Sequence, residues 1–257
     1  MKISVITIVY NDKEHIVHTI NSVISQTARE SIEYIIIDGN SNDGTSVLIK
    51  NYLDYIDLYV CEKDDGIYNA MNKGLQHATG DFVIFMNSGD SFCSKYVIEQ
   101  VLHYVCKAEN TPSLVYGDYR NMSGNKFSKP IQSRKFDKIW YGPVASHQST
   151  FYNLHFLRSK GLKYDESYKI AADYKLTLEV IHLAKSDVLQ LPICVSNFDM
   201  SGVSNLNQDV GLSEANRARR EVLGWGFFKE WGLTVLLLCA RFARHHGGII
   251  YKTIRRL

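Results

Sequence analysis

The chain lacks most of the short motifs that declare an enzyme's chemistry. No GxxxxGK[ST] and no GxGxxG follows its first apolar run, so neither a P-loop nucleotidase nor a dinucleotide-binding domain is supported. There is no HExxH, the nine histidines do not cluster at metal-ligand spacing, and no serine sits in a GxSxG elbow. Five cysteines (Cys61, Cys93, Cys106, Cys194 and Cys239) lie far apart, with no CxxC pair and an odd total. That argues against a disulfide framework or a zinc knuckle and fits a reducing cytoplasm. The longest apolar stretch of the C-terminal segment, Leu233–Ala240, is far short of the roughly 20 residues needed to span a bilayer. The start, MKISVITIVYNDKEH, meets charge too early for a signal peptide and reads as a first strand. Internal repeats and low-complexity linkers are also missing.

What is present suits one large soluble domain with an appendage: 257 residues, 45% apolar and 22% charged. The net charge of +2 hides an asymmetry. From residue 210 onward nine Lys/Arg face three Glu, which leaves a body with 20 basic and 24 acidic residues. A mildly acidic body with a basic, aromatic tail disfavours nucleic acid as a partner.

The first ninety residues alternate between β-branched apolar runs and helical periods. Strands are predicted at Ile3–Tyr10, Tyr34–Asp38, Leu58–Cys61 and Asp81–Phe85. Helices are predicted from Asp12 to Gln26 with Asn11 or Asp12 as cap, after a capping Asp43, and at Ile67–His77. Such repetition implies a parallel sheet with right-handed crossovers. Further on, strands are expected at 114–118, 149–152, 188–191 and 194–198, and a helix at 172–183. The resulting division is a catalytic-type domain, 1–210, and a helical amphipathic C-terminal segment, 211–257.

Ligands of open parallel sheets bind beyond the carboxyl ends of the strands. Each of the four predicted strands ends in polar residues: Tyr10-Asn11-Asp12, Asp38-Gly39-Asn40, Lys63-Asp64-Asp65-Gly66 and Asn87-Ser88-Gly89-Asp90. Singly, each is an ordinary turn or helix cap. Four in succession at one sheet edge favour a ligand rich in phosphate or hydroxyl groups. With the phosphate-loop motifs excluded, the remaining chemistry is a hard divalent cation held by one or two carboxylates and by substrate phosphates.

At these residues the chain resembles a known family. SVITIVYN, YIIIDGNSNDGT and EKDDGIYNAMNKGLQHATGDFVIFMNSGD look like the successive signatures of glycosyltransferase family 2. The likeness is to bacterial members that build colanic acid, capsules and O-antigens, and it continues more weakly through HQSTFY and YDESYKIAADYKLTLEV. The resemblance implies the GT-A fold, with a Rossmann-like, mostly parallel central sheet flanked by helices. It places Thr7, Val9 and Tyr10 around the nucleotide, Asp38 as acceptor of a hydrogen bond from the base, and Asp65 facing the nucleotide. Asn72 and Gly74 would pack close to the donor, and His147 would lie near the diphosphate or the acceptor. Asp90 would be the last acid of a DxD-type motif binding Mn2+ or Mg2+, and Asp173 the catalytic base. Asn87 and Gly89, within the nucleotide-sugar site, stand where most relatives carry acids, and Ala172 stands where many carry one before the base. One carboxylate, phosphate oxygens and waters can still complete octahedral coordination.

The implied activity is that of an inverting, metal-dependent hexosyltransferase. Its donor would be a nucleotide sugar, UDP-linked by family frequency, and its acceptor a polyprenyl-linked glycan of surface polysaccharide synthesis. Such a reaction needs a cation against the leaving diphosphate and a carboxylate to take the acceptor's proton. Trp225, Phe227, Phe228 and Trp231 with flanking basic residues suit an interfacial helix on anionic lipid. A cytoplasmic protein peripheral on the inner membrane face is therefore expected. The same segment could instead pack on the catalytic domain or form a homodimer contact. A sugar-nucleotide pyrophosphorylase would need a Gly-rich, Arg-containing loop after the first strand, and YNDKEH is none. A non-catalytic sugar-nucleotide-binding or scaffold protein is the other reading left open.

Overall fold

The computed structural model describes residues 1–124, 126–185, 187–200, 208–226 and 228–236. Cys239, the end of the Leu233–Ala240 stretch and the basic residues from Arg241 to Arg256 lie outside them.

Strands β1 (Ile3–Val9), β2 (Ile32–Asp38), β3 (Leu58–Cys61) and β4 (Phe82–Phe85) form a parallel half-sheet in the order β3-β2-β1-β4. The second half mixes directions. It adds β8 (Thr150–Asn153), β6 (Leu114–Ser123), β9 (Val188–Asp199) and β5 (Ser91–Phe92) in that order, with β7 (Lys126–Phe127) paired to β6. The sheet thus mixes directions, with the parallel ladders β1–β2, β1–β4, β2–β3 and β6–β9 the longer ones. Successive residues of β1 feed opposite cores, which is why the strand is continuously apolar. Ile6 and Ile8 pack under α3 (Ile67–His77) and α6 (Ala172–Ala184). Val5 and Val9 pack under α1 (Ile16–Ile24), α2 (Thr45–Lys50) and α4 (Val97–Lys107). Gly74 lets α3 lie close to β1, since a Cβ there would stand 2.6 Å from Ile6 Cγ2.

Helix α1 starts four residues later than predicted. The main-chain carbonyl of Asp12 accepts from Ile16 N at 3.2 Å, while its side chain is spent elsewhere. Helices α4 and α5 (Leu154–Lys160) were not read from the sequence. The two strands expected at 188–191 and 194–198 are one strand, β9, that bulges around Pro192. Tyr116 pairs with Gln190 and Asp118 with Cys194, so Pro192 falls where no ladder amide is needed. Gly117 opposes the bulge, where a Cβ would meet Ile193 O at 2.8 Å.

Packing joins regions that the sequence left apart. Cys93 and Cys194, which sequence spacing gave no reason to pair, form a disulfide because β5 lies antiparallel beside β9 with Phe92 opposite Ser196. The division at residue 210 falls inside α7 (Gln208–Leu223), which packs on α6. Arg219, counted in the basic tail, is buried there and donates to the carbonyls of Trp140 at 2.7 Å and Tyr141 at 3.3 Å. Residues 228–236 are helical and tied back to α7 by Arg220–Glu230 at 2.6 Å. Among the described residues no helix is long and apolar enough to cross a membrane.

Candidate functional site

The strand ends do converge, though not every side chain named above reaches the surface. At the end of β1 the chain breaks outward, leaving Tyr10 62% exposed and Asn11 in the left-handed region at φ 50°. Asn tolerates that conformation because its short amide can bond locally. Here Asn11 Oδ1 accepts from Asn42 N and Asn11 N donates to Ser41 Oγ, both at 2.8 Å, joining the loops after β1 and β2. Gly39 lies beside them. A Cβ there would collide with the Asp64 carboxylate and come within 3.2 Å of the Tyr10 ring, so Tyr10, Gly39 and Asp64 meet at one point. Asp64 was passed over in the sequence in favour of its exposed neighbour Asp65, whose amide is bonded to Asn69 Oδ1 at 3.3 Å.

Three residues of the expected nucleotide set are turned inward. Thr7 is fully buried, donating to Met86 O at 2.8 Å and lying 3.1 Å from Tyr34 OH. Val9 belongs to the core beneath α1. Asn72 spends its amide on the segment before α6, donating to Tyr164 O at 2.9 Å and Glu166 Oε1 at 2.8 Å and accepting from Tyr164 N at 3.0 Å. Asp38 is buried at the end of β2 with Ser41 N at 2.9 Å, Tyr59 OH at 2.8 Å and Ser46 Oγ all donating to it. Burial alone would raise its pKa, but these donors outweigh it and hold the carboxyl below the usual range.

The turn after β4 holds the second cluster. Gly89 sits at φ +96°, a conformation that favours glycine, and a Cβ there would stand 2.9 Å from Asp199 Oδ2 at the end of β9. Asp90 is only 4% exposed. Its Oδ1 accepts from Asp199 N at 2.9 Å and its Oδ2 from Gln148 Nε2 at 3.0 Å. Burial pushes its carboxyl up to about 6, with His147, the Asp199 amide and Gln148 pulling the other way. Ser88 Oγ donates to Asp12 Oδ2 at 2.7 Å and ties this turn to the start of α1. Asp199 carries no signal in the sequence, and only the fold brings it and Gln148 to Asp90.

His147 links this turn to Asp173. Its Nε2 lies 3.1 Å from Asn87 Nδ2 and its Nδ1 lies 3.5 Å from Asp173 Oδ2. With Nε2 turned to the Asn87 amide, Nδ1 is the ring nitrogen that faces Asp173. Burial would lower the His147 pKa, yet the bond to Asp173 and the charges of Asp173 and Asp90 raise it overall. Asp173 stands in the first turn of α6, where Oδ1 accepts from Tyr174 N at 2.7 Å and the side chain remains 28% exposed. It opens onto a cleft of about 490 Å³ shared with His147, Arg134, Tyr119, Tyr174 and Phe198. A carboxylate beside a cleft, backed by an imidazole, can accept a proton from a hydroxyl bound there.

The turn also fits a divalent cation shared with a substrate. Asn87 Oδ1 is buried with no hydrogen-bond partner, in the same turn as the Asp90 carboxylate. Each Asp90 oxygen takes one donor and so keeps a lone pair. Oxygen donors of this kind suit Mg2+ or Mn2+. No three His, Cys, Asp or Glu side chains gather into a cage among the described residues, which leaves the other positions to diphosphate and water.

Comparison with known proteins identifies the family. The family model described as glycosyl transferase family 2 matches residues 4–183. An uncharacterized glycosyltransferase of Mycobacterium tuberculosis strain H37Rv is 31% identical over 206 residues, 79% of this chain and 77% of its own. The poly(ribitol-phosphate) beta-N-acetylglucosaminyltransferase TarP of Staphylococcus aureus strain N315 is 29% identical over 226 residues, 82% of this chain and 68% of its own. Among solved structures, S. aureus TarS 1–349 in complex with UDP-GlcNAc superposes with a TM-score of 0.70 at 19% identity, covering 86% of this chain and 65% of that one. The mannosyltransferase PcManGT of Pyrobaculum calidifontis, in complex with GDP-Man and Mn2+, gives 0.67 at 14% identity, covering 99% and 78%.

Proposed function

Because the chain belongs to glycosyl transferase family 2, we propose that it moves a sugar from a UDP-linked donor to a hydroxyl held in the cleft beside Asp173. The observation that carries this reading is the row Asn87–His147–Asp173, which joins the Asp90 turn to the only described carboxylate lining that cleft. The acceptor hydroxyl gives its proton to Asp173 as its oxygen bonds to the anomeric carbon. The bond from that carbon to the diphosphate oxygen breaks with its electron pair, UDP leaves, and the anomeric centre inverts. Tyr10 and Asp64 lie at the nucleotide end of the same sheet edge. His147 orients Asp173 and stabilises it once protonated. Asp90 and Asn87 would hold Mn2+ or Mg2+, which supplies Lewis-acid neutralisation of the leaving diphosphate.

UDP-GlcNAc is the first donor to test, supported by the names of TarP and of the TarS complex, and a GDP-sugar is the comparison arm. A lipid-linked acceptor and a peripheral membrane position draw support from the apolar face of 228–236, where Trp231 is 61% exposed and Val235 follows one turn on. The test is thermal unfolding with UDP-, GDP- and dTDP-sugars, with and without Mn2+. A ligand at about 100 times its Kd stabilises by about 2.7 kcal/mol, which is readable as a rise in Tm. UDP-GlcNAc is expected to raise Tm, and more so with Mn2+. A Tm unmoved by any nucleotide sugar would refute the reading.

A further inference from the structure

Helix α6 begins without a cap of its own. Ala171 at its N-cap has no side chain to accept the main-chain N–H groups that every helix start leaves unpaired. Acceptors arrive from other elements instead. Glu214, on α7, takes three successive amides: Lys169 N at 2.7 Å on Oε1, and Ile170 N and Ala171 N, both at 2.9 Å, on Oε2. The next amide, Ala172 N, donates to Tyr68 OH on α3 at 3.2 Å. The residue after that is Asp173. Small side chains on α7 allow the approach, since even a Cβ at Gly211 would lie 3.4 Å from Ile170 Cγ2. Gly211 and Ala215, which bracket Glu214, line the same cleft as Asp173.

We propose that Glu214 is a positioning residue for Asp173, fixing through main-chain amides 169–171 the angle at which the carboxylate enters the cleft. The proposal rests on Asp173 as the base, and it makes α7 part of the catalytic apparatus. An ionised carboxylate binding three amides is a strong, directional clamp. It also lies at the helix N-terminus, where negative charge is favoured. Residues 169–171 have no other side-chain acceptor among the described residues, so loss of Glu214 frees the backbone that carries the base. A displacement of about 1 Å at a reacting group can cost about 100-fold in rate.

The experiment uses the full chain and follows UDP release from UDP-GlcNAc with Mn2+, water serving as acceptor, alongside amide hydrogen exchange. Glu214→Ala should lower kcat by about 10- to 100-fold while donor KM and UDP affinity stay within about twofold, because neither Tyr10 nor Asp64 is hydrogen-bonded to α7 among the described residues. Exchange at amides 169–172 should accelerate. Glu214→Gln, which keeps one acceptor oxygen, should fall between alanine and wild type. Arg220→Ala, which breaks the tie from α7 to Glu230, should leave kcat and the exchange of these amides unchanged. Wild-type kcat in Glu214→Ala, or an equal loss in Arg220→Ala, would overturn the proposal. An Asp173→Asn variant that turns over normally would overturn the functional reading instead.

Discussion

Replacing Asp173 by asparagine changes one atom of the cleft and removes its proton acceptor. The asparagine Oδ1 can keep the 2.7 Å bond from Tyr174 N, and Nδ2 takes the place of the oxygen 3.5 Å from His147 Nδ1. That contact is long and the side chain is partly exposed, so the lost ion pair should cost less than about 1 kcal/mol of stability. Catalysis should suffer far more. A positioned general base contributes about 10²- to 10⁴-fold, so the barrier should rise by about 3–5 kcal/mol. The distinguishing pattern is a folded protein that binds UDP normally and does not turn over. Calorimetry with UDP and Mn2+ measures the first part, and UDP release from UDP-GlcNAc the second. UDP affinity should stay within about twofold, because neither Tyr10 nor Asp64 is hydrogen-bonded to α6 among the described residues, while the rate falls at least about 100-fold. A variant retaining turnover within about threefold of wild type would remove Asp173 from the mechanism, since no base worth about 3 kcal/mol would then have been lost.

Asp90→Asn keeps the shape of the turn but removes its charge, and the Mn2+ enhancement of UDP binding should fall at least about tenfold, given that even outer-shell partners of a metal cost that much. Unchanged Mn2+ dependence in calorimetry would put the cation elsewhere. Glu33 on β2 accepts from Ser4 Oγ, Thr79 N and Thr79 Oγ1, bonds that outweigh burial and hold its pKa below the ordinary carboxylate value. A depressed folded pKa means that stability is present above the unfolded pKa, roughly 4.3, and is lost as pH falls through the folded value. Glu33→Gln should thus lower Tm at pH 7, costing about 1–3 kcal/mol through a donor facing a donor. Its deficit against wild type should shrink below roughly pH 4.3, and a pH-independent deficit would contradict the assignment. Trp231→Glu should weaken sedimentation with anionic vesicles by about 2 kcal/mol, roughly thirtyfold, if the exposed face of 228–236 docks on lipid. Equal sedimentation of wild type and variant would point to another use for that face.

The parallel half of the fold was legible because β1, β2 and β4 are buried on both faces. Burial on two sides writes an unbroken apolar run into the sequence, and short polar turns separate the runs. The second half was less legible for local reasons. Pro192 split β9 into two apparent strands, although a bulge accommodates it within one. Cys93 and Cys194, 101 residues apart, pair only because β5 and β9 do. The site divides similarly. Tyr10 and Asp90 fall in the polar strand ends, whereas Asp173 was named through the family resemblance. Thr7 and Val9 lie inside such a doubly buried run, while the burial of Asn72 depends on what packs above it.

By itself the sequence determined the α/β layering, the edge at which the polar strand ends gather, and the acidic residues offered there, because periodicity and strand-end chemistry are local properties. The tertiary structure decided which of those residues meet. It set Asp199 beside Gly89, Gln148 on Asp90, and His147 between Asn87 and Asp173. It also turned Glu214 and Arg219 of the basic tail into main-chain partners of the catalytic domain. No periodicity records such contacts, since they join residues tens of positions apart through hydrogen bonds that exist only once the sheet and its helices have packed.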